Sequence, residues 1–230
     1  SPAYPFGRYA ITAQKTRGIG AAITLLLAAS VETSYYAFAP DASESSSAPG
    51  SYNVTGNFRT LVLDNGGEYI VDGDTFSLNL STDSLNDNSL NIVGAKISMS
   101  YSEDESSAGF GCLAPGASDT ESDTITGMLM HDEFSGSESG QNQEGAPASH
   151  ETLVEWYNAS MIGEVSNVTK ADIMAGLDSN GAGLGDYSID ISVDVATGSG
   201  AGCQHTDDGE NVDYTIEVII LEYVITKVKA

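Results

Sequence analysis

Residues 213–229 read DYTIEVIILEYVITKVK, and the middle of that run, IEVIILEYVI, is apolar on both of its alternating faces. A half-exposed strand alternates apolar with polar side chains, whereas a strand apolar on both faces needs cover on each side. The stretch therefore predicts the central strand of a folded body. One face belongs against an opposing sheet, and the other under helices or a segment from a neighbouring chain.

Working outward, YSIDISVDV at residues 187–195 alternates without a break, the pattern of a strand with one buried face. Phe76, Leu78 and Leu80 share one face of a strand over 75–80, and Val93, Ala95, Ile97, Met99 and Tyr101 recur at period two within 90–102. Residues 52–63 and 124–130 also read as strands. Asp64-Asn65-Gly66-Gly67 predicts a hairpin turn with 68–71 returning as its partner. Asp72-Gly73-Asp74 then turns the chain into 75–80. The succession of DGDTFSLNL, a polar loop and NIVGAKISMSYS resembles immunoglobulin-like domains. The expected fold class is accordingly mainly β, an immunoglobulin-like β-sandwich.

Two segments depart from strand patterning. Residues 132–149, with SGSESGQNQEGAPAS, read as a mobile insertion. Leu153, Val154, Trp156, Tyr157, Met161 and Ile162 follow Ser149 at helical spacing, which predicts a helix with Ser149 as its cap. Thr169 and Asp172 predict the cap of a second short helix through Leu177.

The N-terminal part is of another kind. Residues 1–31 hold Arg8, Lys15 and Arg17 and no carboxylate, a charge of +3, while the remainder carries −28, which makes the net −25. RGIGAAITLLLAASVETSYYAFA, at 17–39, lies between a basic arm and the acidic body. That order orients a chain across a membrane with its body outside. The most apolar part, residues 19–31, is shorter than the ~20 residues of a spanning helix. Counting Tyr35, Tyr36 and Phe38 extends it to about 31 Å at 1.5 Å per residue, with Glu32 inside it. A permanent anchor fits the charge switch. A helix packed among copies of itself fits the short run better, because protein can satisfy Glu32 where lipid cannot. A removed export signal also fits the basic start, but the segment stands in the chain.

Lys15-Thr16-Arg17-Gly18 followed by IGAAITLLLAA resembles the start of archaeal type IV pilins and archaellins. The resemblance implies a filament subunit assembled through an N-terminal apolar α-helix, with Ile19, Ile23, Leu25, Leu26, Leu27, Tyr35, Tyr36 and Phe38 as assembly positions. In that family the basic leader is cut before assembly, and here residues 1–18 are retained. The arm alternates at Tyr9, Ile11 and Ala13, so it suits a strand donated to a neighbouring subunit. The organisation read from the sequence is an arm (1–17), an apolar assembly or anchor helix (18–39), a linker (40–50) and an acidic sandwich domain (51–230). The implied partner is another copy of the chain, after insertion in a membrane. The alternative is a cell-surface binding module tethered by the same helix.

The acidic body excludes nucleic acid, whose phosphates call for the opposite sign. Cys112 and Cys203 both sit in Gly-rich loops, and outside the cell they are expected to form one disulfide. No nucleophile elbow, zinc-protease motif or phosphate loop occurs, so the chain reads as a non-enzyme. His131, His150 and His205 lack metal spacing, and the His131-Asp132-Glu133 cluster reads as a solvated strand end. No cofactor is implied except calcium. For that ion the oxygen-rich turns at Asp72 and Asp74, and at Asp178, Asn180 and Asp186, supply hard ligands. The second turn lacks the third ligand and the glycine of an EF-hand loop. Asn53, Asn79, Asn158 and Asn167 each begin a glycosylation sequon.

Overall fold

The computed structural model describes residues 48–102, 106–113, 121–142, 147–198 and 202–229. The arm, the apolar segment with its eight assembly positions, and nearly all of the linker lie outside them. In chain order the body contains β1 (Gly50–Val71), β2 (Thr75–Ser81), β3 (Ile92–Tyr101), β4 (Ser106–Ala108), β5 (Thr124–His131), β6 (Phe134–Gln141), β7 (Ala148–Glu155) and β8 (Gly163–Val168). Helix α1 (Lys170–Leu177), β9 (Asp186–Asp194), β10 (Gln204–Thr206) and β11 (Gly209–Lys227) complete it.

A five-stranded sheet in the order β7-β3-β11-β1-β8 packs on a four-stranded sheet in the order β2-β9-β5-β6, and β4 pairs with β10. β11 is the middle strand of the five, as its two apolar faces require. Ile216, Val218 and Ile220 enter the core between the sheets with Ile97, Met99, Ile125, Leu129, Ile189 and Ile191. Ile219 and Leu221 face the other way, into a second cluster with Tyr52, Val54, Ile173 and Leu177. Helix α1 covers this second cluster. Its capping box is the expected one, with the Thr169 hydroxyl accepting from the Asp172 N–H and the Asp172 carboxylate accepting from the Thr169 N–H.

The connectivity departs from the immunoglobulin expectation. Strands β1, β11, β3 and β7 are neighbours in one sheet and β2, β9, β5 and β6 in the other. First therefore pairs with last (β1 with β11), β2 pairs with β9, and most connections cross between the sheets. This is the double Greek key of a jelly roll. Immunoglobulin sheets combine their strands differently. Local alternation is common to both sandwiches; only the long-range pairing of β1 with β11 separates them.

Three local expectations are corrected. Asp64-Asn65-Gly66-Gly67 is no hairpin, because β1 runs straight through it and pairs with β11 from Tyr52 to Val71, with a register shift between Val62 and Asp64. Neither glycine takes the positive φ that such a turn needs. They make room instead: a Cβ on Gly66 would stand 2.9 Å from the Tyr214 hydroxyl, and one on Gly67 2.6 Å from the Asp213 carboxylate. The proposed mobile insertion holds β6, joined to β5 by a tight turn with Asp132 at φ 49°. The first helix expected after Ser149 is β7, paired with β3 along its length. Thr152 and Val154 are buried and Glu151, Leu153 and Glu155 exposed, a period of two. The helical spacing arose because Trp156, Tyr157, Met161 and Ile162 belong to the loop, short 3-10 turn and β8 approach that follow.

Candidate functional site

Where β1 ends and β11 begins, the fold gathers carboxylates. Asp123 precedes β5, and Asp207 and Glu210 flank the start of β11. One oxygen from each lies within 4.8 Å of the others. Asp123 and Glu210 are fully buried. The backbone explains the placement. The Asp123 N–H donates to Asn142 Oδ1 (2.9 Å), and Asp123 Oδ1 accepts the Ala196 N–H (2.8 Å). Asp207 Oδ1 accepts the Gly209 N–H at 3.2 Å, and Gly209 adopts φ 151° directly against the Ile70 carbonyl. An all-carboxylate set with no sulfur or imidazole suits a hard cation such as calcium or magnesium.

The turn expected to bind calcium lies at the same end. Asp72 donates its N–H to the Asp208 carbonyl (2.9 Å), and its Oδ1 accepts the Val195 N–H (3.0 Å). Asp72 and Asp74 stand outside the three-carboxylate group, as do Asp178 and Asp186. Asp178 Oδ1 accepts the Tyr223 hydroxyl at 2.6 Å, and the Asn180 amide donates to the Asp178 carbonyl. Burial first, and then Asp178, push the Tyr223 phenol well above its ordinary range. Sequence spacing missed the three-carboxylate group because Asp123 lies more than 80 residues before Asp207 and Glu210. The signal within reach was Asp207-Asp208-Gly209-Glu210, just ahead of the central strand.

His131 is a correction. It is 1 % exposed rather than solvated, and its Nδ1 and Nε2 lie 2.9 Å and 2.6 Å from the carbonyl oxygens of Asp186 and Ala182. Its ring stacks on Tyr187 with centroids 4.1 Å apart and lies 5.6 Å from Trp156. Asp132 and Glu133 remain in the exposed turn beside it. His131 thus anchors the 182–186 loop.

Cys112 and Cys203 are joined, with Cα atoms 4.7 Å apart. The bond ties the loop after β4 to the approach to β10, so the β4–β10 pair and the disulfide close the same region. Asn53, Asn79, Asn158 and Asn167 are all exposed, as modification would require.

On the outer face of the five-stranded sheet a shallow groove of about 330 Å³ is lined by Ser98, Ser100, Ser149, Glu151, Asp213 and Thr215. At its edge Lys96 bridges Glu217 (3.1 Å) and Glu151 (3.2 Å). Glu217 chiefly, and Glu151 with it, hold the Lys96 amine above its ordinary range. The Thr60 hydroxyl and then Lys96 hold Glu217 below the usual carboxylate range.

No family model matches the chain, and no curated protein matches it. Among solved structures, TmCBM61 in complex with beta-1,4-galactotriose shows a TM-score of 0.23 at 9 % identity, covering 74 % of this chain and 87 % of that one. A cryo-EM structure of Mud Crab Dicistrovirus gives 0.24 at 9 % identity, covering 74 % and 72 %. Likeness at this level carries no argument about function. Fold and chemistry together define the class: a disulfide-linked, strongly acidic, antiparallel β-sandwich.

Proposed function

We propose that the chain is the structural subunit of an extracellular, pilus-like filament, in which the N-terminal apolar segment packs against copies of itself and the acidic body faces outward. The observation that carries the reading is the placement of charge. Residues 1–31 carry only positive charge and the remainder −28. Within the body the lysines sit at one end, among carboxylates such as Glu164 and Asp172. Lys227 and Lys229 lie where the described chain begins, with the Val228 N–H on the Ser51 carbonyl, and Lys170 opens the helix over the same end. The opposite end holds Asp72, Asp74, Asp123, Asp207, Asp208 and Glu210. The disulfide supports a place outside the cell, since such bonds persist in oxidising compartments.

The test is direct imaging. Negative-stain electron microscopy of the full chain, purified without denaturant, is expected to show filaments. Single particles of one subunit, under every salt condition tried, would refute the reading and favour the tethered surface module.

A further inference from the structure

Among the described residues, one edge of the sandwich lacks a second neighbouring strand. β8 pairs with β1 only from Gly50 to Val54. Over residues 55–68 the described residues give β1 a single partner strand, β11. That is about 45 Å of open edge at ~3.3 Å per residue, and it contains no proline. The core beneath is also incompletely covered. Inward residues of β3, β5, β9 and β11 are almost fully buried, but Leu61 and Leu63 of β1 and Phe76, Leu78 and Leu80 of β2 are only partly so. Phe58 and Val62 on the same edge strand are 44 % and 47 % exposed. On the far side β6 and β7 close the sandwich, with Phe134 stacked on Trp156 at 5.0 Å. An edge strand with unmet backbone groups above a half-covered apolar row is a template for one more strand.

We infer that this edge receives residues 8–15 of a second copy's N-terminal arm, paired as an added strand beside β1. Three observations select the occupant. The arm alternates, so Tyr9, Ile11 and Ala13 on one face can cover the Leu61–Leu63 and Phe76–Leu80 row, with Lys15 closing that face at its polar end, while Arg8, Ala10, Thr12 and Gln14 face outward. Its charge is complementary, since residues 1–31 contain no acid. The receiving edge carries Asp64 and Glu68, and its one cation, Arg59, is engaged by Glu222 at 3.1 Å. Its length suffices, because eight extended residues span about 26 Å of the open edge. Edge-to-edge pairing of two β1 strands is disfavoured, because it would bring two acidic bodies and their Asp64 and Glu68 side chains together. The choice of a second copy as donor rests on the filament reading; the open edge among the described residues does not. The added strand would couple neighbouring bodies independently of the apolar segment.

The experiment uses the full chain with the photoreactive p-benzoylphenylalanine placed at Tyr9, mixed as equal parts nitrogen-15-labelled and unlabelled protein before assembly. After irradiation, mass spectrometry is expected to find cross-links from position 9 into residues 55–81, about half of them joining heavy to light chains. Ile11→Pro, which removes a backbone donor from the arm and leaves the body untouched, is expected to lower that yield roughly tenfold. Links confined within single chains, or landing outside 55–81, overturn the proposal. Negative stain of the same samples separates the two ideas. Filaments without these links sink strand donation and leave the filament reading standing. Links in small oligomers without filaments sustain donation and sink the filament reading.

Discussion

Gly140 lies so close to the ring of His150 that a Cβ at that position would clash with Nδ1. Tyr101 meets the same imidazole edge-on, with centroids 6.1 Å apart. Gly136 does the same for Val154, where a Cβ would stand 2.6 Å from Cγ2. The glycines of β6 therefore let β7 side chains press into the closed side of the sandwich. Gly140→Ala is expected to cost about 1–3 kcal/mol through overpacking, read as a lower midpoint in urea with an unchanged slope. An unchanged midpoint would show that the ring moves aside freely.

His150 also gives the fold a pH dependence. Burial holds its imidazole below the ordinary histidine range, so the folded state favours the neutral ring. The sign follows: the stability contributed is present above the unfolded value near 6.5 and is lost as pH falls from there toward the lower folded value. Thermal midpoints measured from pH 7.5 to 5 should fall more steeply for the native chain than for His150→Leu. Parallel curves would contradict this. Glu151 and Glu217, held low by Ser98 and Thr60 first and by Lys96 next, add their loss only at more acid pH.

The Cys112–Cys203 bond spans 91 residues of chain. In the chain-entropy account a loop of that size is worth nominally about 4–5 kcal/mol. Reduction, or replacement of both cysteines by serine, should lower the denaturation midpoint by a large part of that amount. Stability equal to the oxidised form would show that the crossing of the β4–β10 region is held by its packing alone.

Salt should act on contacts between bodies. Exposed like charges are screened beyond ~10 Å at 0.1 M salt, but at 0.01 M the screening length reaches ~30 Å. Bodies of −25 each (residues 51–230) should then repel across their contacts, so filaments are expected to separate laterally in dilute buffer with chelator and to bundle again in calcium or high salt. Bundling identical across the series would show that the acidic faces meet only water.

How much of this was legible in the sequence depended on range. The two-faced run through Ile216–Ile220 announced the central strand, the alternation from Tyr187 to Val193 announced β9, and Thr169 with Asp172 announced the cap of α1, because each is written in neighbouring residues. The jelly-roll order was hidden, since it rests on β1 pairing with β11. Gly66-Gly67 and the Ser/Gly-rich β6 were misread as turn and mobile insertion for one shared reason. Their glycines answer to side chains from other strands, Tyr214, Asp213, Val154 and His150, which no local pattern contains. The three-carboxylate group was missed in the same way, and His131 looked solvated because its carbonyl partners at Ala182 and Asp186 lie some fifty residues on.

The central claim is that residues 19–39 assemble the molecule while the body folds independently of them. Leu26→Asp tests it most directly, because it places a charge in the apolar run where a packed bundle would have to bury it. Filaments counted by negative stain, together with the far-ultraviolet circular dichroism and thermal midpoint of the same preparation, should show assembly abolished and the β-sandwich signal and midpoint unchanged. Filaments persisting at native abundance in Leu26→Asp would contradict the account.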